Sequence, residues 1–457
     1  MSVTRTAFYG SDADDDALAA AFRGGDVPVG VYGLGKMGLP LAAVYADVTG
    51  NVLGADVDET VADAVNDGRS PVRGEPGLDE LVADLAADES LRASVDPTAV
   101  AERSQVHVVI VPTLVDDDRP DTSIVESVAR DIGRGLAPGD VVFFESTLPP
   151  GTCLDTLVPI LENESGLSTG EFGVAVCPER TLSGRALSDI RDGHPKIVGG
   201  VDAESTRIAE LVYGELVAQD VVPVSDATTA EAVKVFEGVY RDVNIALANE
   251  LATHASDLGI DVLDAIDAAN TQPYCDIHTP GAGVGGHCIP YYPHFLMDRV
   301  GDSPLVRTAR TVNDSMPGYT ASLAHSGLLS AGLSPDAADV LVLGLTYRPG
   351  VQEIRATPAL GVVESLADAG ATVTATDPLV TDATPFEDAG ATVVPLSDLD
   401  DSYDAVVLVT YQEAFDALDV PSLAPDGRPL VVVDGRQALT ELRDRDGVLY
   451  TGVGFDE

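Results

Sequence analysis

The 457-residue sequence predicts an α/β protein in which two doubly wound parallel sheets are joined by a central helical segment. Three observations carry this. Short apolar runs alternate with helically spaced stretches in both halves of the chain. The first run ends in a glycine-spaced turn that opens a helix. Between the halves lies one long helical pattern, and the length asks for more than one hydrophobic core.

Residues 1–25 are acidic and poor in β-branched side chains, which predicts a weakly ordered extension. Residues 26–225 are expected to form the first sheet domain. Within it 27–32 reads as a strand, Gly33-Leu34-Gly35-Lys36-Met37-Gly38 as a turn and 39–48 as a helix, and a second strand, 51–55, ends at Asp56. A lone GxGxxG is weak, but one framed by strand, helix and a terminal acid is the Rossmann dinucleotide fingerprint. Gly33 makes the turn, Gly35 lets a pyrophosphate approach the backbone, and Gly38 lets helix pack on strand. The helix N-terminus at Lys36 and Met37 offers N–H donors to phosphate. Asp56 would bond the adenosine ribose and repel a 2′-phosphate, selecting NAD over NADP. Strands at 106–111, 141–145 and 173–176 run into Thr113, into Glu145 and Thr147, and into Glu179 and Arg180. Ligands of such sheets gather at the carboxyl ends of strands, so Thr113, Glu145 and Thr147 are expected to line the nicotinamide end.

Residues 226–330 read as a central helical domain. Val233, Phe236, Tyr240, Val243, Leu247 and Leu251 recur at three and four residues, a stripe suited to packing against a partner. Lys234, Gly238, Arg241 and Asn244 share a neighbouring face, from which Lys234, Arg241 and Asn244 would point into one cleft. Residues 331–457 repeat the alternation, with strands at 340–345, 372–376, 392–394, 405–409 and 430–433. The first turn of this second sheet lacks GxGxxG, so it should not hold a dinucleotide in the same way. Arg348, Arg355 and Arg436 stand at strand ends or in loops, placed to meet phosphates.

With 75 acidic and 26 basic residues the formal charge is −49, which argues against nucleic acid or an anionic membrane as partner. It reads as adaptation to a salt-rich cytosol, with the blocks at 14–16 and 116–118 as solvated surface. Only Lys36, Lys196 and Lys234 are lysine, leaving 26 − 3 = 23 arginines. Cys153, Cys177, Cys275 and Cys288 show no metal spacing, so neither a metal site nor a disulfide framework is expected. The absence of a leader-like or membrane-length apolar run predicts a soluble, cytoplasmic protein.

The stretch GAGVGGHCIP, residues 281–290, centres on Cys288. Gly283, Gly285 and Gly286 leave the backbone bare, so a bulky ligand can come close. A thiol there becomes a nucleophile when a cation or oriented N–H groups lower its pKa; the alternative is a buried structural cysteine in a tight turn.

Together VYGLGKMGLP, ESTLPPGT, CPERTLSGRA, KVFEGVYRDVNIALANE, GAGVGGHCIP, GLTYRPGVQEIRATPA and VVVDGR resemble the UDP-glucose/GDP-mannose dehydrogenase family, in that family's order over roughly residues 27 to 440. The resemblance implies two Rossmann-type domains around a central dimerisation domain, hence a homodimer. It also implies oxidation of the C6 alcohol of a UDP-sugar to a carboxylate with two NAD. By matching motif, Cys288 would capture the C6 aldehyde as a thiohemiacetal that is oxidised to a thioester. Lys234 would stabilise the oxyanion, and Glu179 and Thr113 would handle the hydrolytic water. Arg348 and Arg436 would lie near the sugar nucleotide, with Arg180, Arg241, Asn244 and the loop glycines lining the substrate. The CPER and RDVNIALANE stretches look most like members acting on UDP-N-acetyl-D-mannosamine; UDP-glucose and UDP-N-acetylglucosamine are the alternatives. A module that binds NAD and a nucleotide sugar without turnover is the rival of another class, and retention of both Cys288 and Lys234 argues against it. Two positions depart from the UDP-glucose enzymes: Gly238 replaces an Asn four residues after the lysine, and Tyr292 an Asp four residues after the cysteine. Arg241, Asn244 and His287 are the candidates to take over their roles.

Overall fold

The computed structural model describes residues 7–116, 118–182, 184–400 and 402–455. It divides into two compact units, Met1–Phe236 with His294–Gly301, and Glu237–Pro293 with Asp302–Glu457. No helix among the described residues is long and apolar enough to cross a membrane.

The first unit carries strands β1 (Val29–Tyr32), β2 (Val52–Ala55), β3 (Leu91–Ser94), β4 (Val106–Val109), a short hairpin of β5 (Leu114–Asp116) and β6 (Arg119–Asp121), then β7 (Val141–Phe144), β8 (Gly173–Val176), β9 (Lys196–Gly200) and β10 (Val221–Pro223). All but the hairpin join one sheet in the order β10-β9-β8-β7-β4-β1-β2-β3. Neighbours are parallel except β8 and β9. β1, β4, β7 and β8 are buried along their whole length, as strands covered by helices on both faces must be. Two apolar clusters fill those faces, one around Val29, Val31 and Phe143, the other around Tyr32, Val142 and Phe144. Register then aligns the strand ends: Tyr32 pairs with Ala55 and Val109, Val109 with Phe144, and Phe144 with Val176. Gly33, Asp56, residues 110–113, 145–147 and 177–179 therefore leave the same edge, beside the point where strand order reverses.

The expectation of a weakly ordered extension is corrected for residues 7–25. A helix, Asp15–Arg23, is capped by the Asp14 carboxylate, which accepts the Ala17 N–H at 2.8 Å. Leu18 and Phe22 join Phe8 in the core of the first sheet. The acids occupy the cap and outer face, and the apolar residues, spaced by four, face inward. Residues 1–6 lie outside the described residues, as does Asp117 of the acidic block whose neighbours Asp116 and Asp118 are exposed.

The second unit repeats the plan with β11 (Asp339–Leu343), β12 (Thr372–Thr376), β13 (Ala391–Val393), β14 (Ala405–Leu408), β15 (Leu430–Asp434) and β16 (Val448–Gly452). These form one sheet in the order β13-β12-β11-β14-β15-β16, parallel throughout. Its two faces are filled by clusters around Val340 and Val407 and around Leu341 and Val432. The edge strands β3, β10 and β16, and β9 beside β10, had no counterpart in the apolar pattern.

A 27-residue helix, Ala227–Thr253, runs through the lysine motif. Three of its large apolar residues are not covered: Phe236 is 57% exposed, Tyr240 52% and Leu247 50%. The buried face instead holds Glu231, Val235, Gly238, Asp242, Ala246 and Asn249. The polar members of that face bond to distant groups. Asp242 pairs with Arg310 of a second long helix, Pro304–Ser330, and Asn313 of that helix donates to Asp242 Oδ1 at 2.9 Å.

Candidate active site

The glycine turn of the first sheet has the geometry its spacing demands. Gly33 has φ +94° and an added Cβ would lie 2.6 Å from the Ile110 carbonyl oxygen. A Cβ on Gly38 would overlap the Gly33 carbonyl oxygen, which is the close helix-to-turn packing expected of the third glycine. Gly35 faces open space, with nothing within 4 Å of a Cβ. The helix Gly38–Thr49 begins at Met37 with no side-chain cap, which leaves its first N–H groups to an external acceptor. Lys36 is exposed. Asp56 accepts the Leu34 N–H at 2.8 Å and the Asp58 N–H at 3.0 Å. It therefore braces the turn as well as standing half-buried at its mouth.

At the neighbouring strand ends, Thr113 Oγ1 donates to the Thr147 carbonyl at 2.8 Å, so these two expected residues meet. Glu145 is engaged by partners inside the fold. It is 1% exposed and bonds Lys196 Nζ at 2.7 Å and the Tyr213 hydroxyl at 2.5 Å. Burial raises its carboxyl pKa against the opposing pull of Lys196. The sequence missed this network because the partners stand 51 and 68 residues away; the survival of Lys196 in a lysine-poor chain was the one available signal. Glu179 follows at the end of β8. Its N–H donates to the Glu145 carbonyl at 3.1 Å, and its carboxylate takes the Thr181 N–H. Arg180 Nη1 donates to the Pro195 carbonyl at 2.9 Å.

Glu231 is the other residue the sequence reading passed over. One turn before Lys234, it is 1% exposed and accepts the N–H of Gly151 at 2.5 Å and of Cys153 at 2.7 Å. Burial pushes its pKa up to about 7. The contact fastens the lysine helix to the loop that carries Thr147. Lys234 itself is half-buried and Arg241 is exposed.

Among the four thiols, Cys153 and Cys177 are buried, Cys275 is intermediate and Cys288 is exposed. Burial raises the pKa of Cys153 and Cys177 and leaves them inert. Cys288 is thus not the buried structural cysteine of the alternative reading. Its loop rests on the first turn of the second sheet: Gly286, at φ +97°, donates to the Arg355 carbonyl at 3.0 Å. A Cβ there would meet the Tyr347 ring at 2.8 Å, and one on Gly285 would meet the Ala356 carbonyl at 2.6 Å. Gly283, at φ +139°, leaves only 3.0 Å between such a Cβ and Pro358. These glycines therefore serve close backbone approach within the protein.

Of the proposed stand-ins, Asn244 is committed. Its amide donates to the Asp276 carbonyl at 2.6 Å and accepts the His278 N–H at 2.9 Å. His287 Nε2 lies 3.1 Å from Glu353. Arg348 sits with its guanidinium 5.8 Å from the Tyr347 ring centre. Arg436 Nε donates to the Val409 carbonyl at 2.8 Å, and its guanidinium borders Gly281. In the second sheet Asp377 mirrors Asp56: it accepts the Leu345 N–H at 2.8 Å and the Leu379 N–H at 2.8 Å. It also takes the Thr346 N–H and the Gln412 amide, each at 3.1 Å, and is 8% exposed.

Known proteins resemble this chain over most of its length. Residues 27–217 match the NAD binding domain of the UDP-glucose/GDP-mannose dehydrogenase family, residues 228–315 its central domain and residues 341–441 its UDP binding domain. The chain is 35% identical over 428 residues to a UDP-N-acetyl-D-mannosamine dehydrogenase of Pyrococcus horikoshii, covering 93% of this chain and 99% of that one. It is 35% identical over 361 residues to an NDP-N-acetyl-D-galactosaminuronic acid dehydrogenase of Ralstonia nicotianae, covering 77% and 82%. A solved UDP-D-ManNAc dehydrogenase from Pyrococcus horikoshii superposes with a TM-score of 0.84 at 34% identity, over 94% of this chain and 99% of the other.

Proposed function

The chain belongs to the UDP-glucose/GDP-mannose dehydrogenase family, and from that premise we propose that it converts UDP-N-acetyl-D-mannosamine to UDP-N-acetyl-D-mannosaminuronate. Membership makes it an NAD-dependent 6-dehydrogenase of a UDP-sugar. The choice of sugar rests on the relatives of that name. The observation that carries the chemistry is Cys288, an exposed thiol in a glycine loop, whereas burial silences Cys153 and Cys177.

The first sheet fits NAD: Gly35 is open, the helix behind it has no side-chain cap, and Asp56 stands at the turn. NAD, when bound, takes up one hydride from C6 in each of two oxidations. Asp56 would accept the ribose hydroxyls and the Lys36–Gly38 turn the pyrophosphate. The Cys288 sulfur adds to the C6 aldehyde, forming a thiohemiacetal whose oxyanion Lys234 stabilises. Loss of the second hydride leaves a thioester. Water held by Glu179 and Thr113 cleaves its C–S bond, giving the carboxylate and returning the thiol. Arg348 and Arg436 bind the diphosphate and Arg180 and Arg241 border the sugar, with the Gly283–Gly286 turn as the floor.

The working domain division is 26–225, 226–330 and 331–457, supported by the three family matches. A homodimer through the Ala227–Thr253 helix is supported by its uncovered Phe236, Tyr240 and Leu247; Tyr240→Glu should sediment as a monomer. A halophilic cytoplasm is supported by the charge of −49 and four free cysteines. The deciding experiment measures kcat/KM for UDP-N-acetylmannosamine, UDP-N-acetylglucosamine and UDP-glucose in molar KCl. The highest value for UDP-N-acetylmannosamine, with two NADH per sugar, upholds the proposal. Preference for UDP-glucose overturns the choice of sugar.

A further inference from the structure

Gly238 and Tyr292, the two positions that depart from the related pattern, touch each other. A Cβ on Gly238 would overlap the Tyr292 ring and lie 2.7 Å from its Cγ and 2.8 Å from its Cβ. Tyr292 is 7% exposed. A glycine inside a 27-residue helix costs about 1 kcal/mol relative to alanine, and here the cost admits an aromatic ring. The same Tyr292 donates its N–H to the Cys288 carbonyl at 3.0 Å. The far end of the thiol loop is held as well: Gly281 donates to Asn249 Oδ1 at 2.9 Å. Asn249 is itself fixed, since its amide nitrogen donates to Asn313 at 2.8 Å and is wholly buried. Positions 238 and 249 differ by 11 residues, close to three helical turns, so the two anchors share one face of the helix about 16 Å apart.

We propose that Gly238–Tyr292 and Asn249–Gly281 form a two-point clamp that positions the Cys288 loop along one face of the Ala227–Thr253 helix. Between the anchors the chain contains Gly283 and Gly286 at positive φ, so little in its own covalent structure would fix the thiol. The clamp replaces polar side chains with shape at Gly238 and Tyr292, and these act as positioning residues. The proposal rests on Cys288 being the nucleophile.

The test uses full-length protein in molar KCl and reads three quantities: kcat and KM for the UDP-sugar, melting temperature, and the rate at which iodoacetamide alkylates Cys288, followed on its peptide by mass spectrometry without substrate. Tyr292→Ala and Asn249→Ala should each lower kcat about 100-fold with KM within about threefold, and shift the alkylation rate at least about threefold. Tyr292→Phe, which keeps the ring, should restore near wild-type values. Gly238→Ala should damage kcat as Tyr292→Ala does, and the double variant should be no worse than either single. Effects that multiply in the double variant, a Tyr292→Phe as impaired as Tyr292→Ala, or an unchanged alkylation rate would each overturn the clamp. Should Gly238→Ala fail to fold, the comparison of Tyr292→Phe with Tyr292→Ala decides. A wild type inactive on every UDP-sugar, with alkylation still governed by Tyr292 and Asn249, would sink the functional reading and leave the clamp standing.

Discussion

Glu231 and Cys153 are joined by a hydrogen bond of 2.7 Å from the Cys153 N–H to a carboxylate buried in the first unit. Because burial lifts the folded pKa of Glu231 to about 7 from 4.5, its contribution to stability is fully present below pH 4.5 and is lost as pH rises through 7. The difference in stability between wild type and Glu231→Gln should therefore fall by up to about 3 kcal/mol across that window. Urea midpoints in molar KCl at pH 4.5 and pH 8 measure it. A difference that stays flat would remove Glu231 as the titrating group.

The Lys196–Glu145 pair predicts an asymmetric response. Lys196→Met leaves a buried carboxylate uncompensated and should cost about 3–5 kcal/mol. Adding Glu145→Gln should recover most of the loss. Thermal melts of the two variants suffice, and a Lys196→Met protein that melts with the wild type contradicts the assignment.

Asp56→Ala should raise KM for NAD at least about 10-fold and narrow the preference over NADP, since it removes both ribose acceptor and turn brace. Asp56→Asn, which keeps an acceptor for the Leu34 N–H, should lose less. A wild type that prefers NADP would refute the role.

Cys288→Ser should lose the thioester and with it about 1000-fold or more of acid formation. Chromatography of the uronate product tests this. Acid made at the wild-type rate would dismiss Cys288 as nucleophile.

Salt should stabilise the fold, because like charges summing to −49 repel at distances that molar salt screens. The melting temperature should climb between dilute buffer and molar KCl; an unchanged value counts against halophilic adaptation.

Much of the first sheet was legible. Glycine spacing with a terminal acid specifies both a backbone path and a ligand, and strand-end logic brought Thr113 to Thr147. What stayed hidden was polar burial. Apolar periodicity singled out Phe236, Tyr240 and Leu247 on the long helix, whereas the face covered by this chain holds Glu231, Asp242 and Asn249. Their partners, Cys153, Arg310 and Asn313, lie 64 to 78 residues away, beyond any local pattern. The partners of Glu145 were hidden for the same reason. At the N-terminus, acidic composition masked Phe8, Leu18 and Phe22, three side chains sufficient to dock a helix.

The shared bracing by Asp56 and Asp377 bears on which substitutions each sheet tolerates. Each acid follows the second strand of its sheet and holds a residue of the first turn, Leu34 or Leu345, at 2.8 Å. In the second sheet Thr346 and Gln412 crowd onto the same carboxylate. Replacement at position 377 is therefore constrained by this packed network and at position 56 by the turn and the proposed cofactor together. Asp377 should tolerate replacement only alongside changes at 346 or 412, while Asp56 should vary with the dinucleotide that is bound.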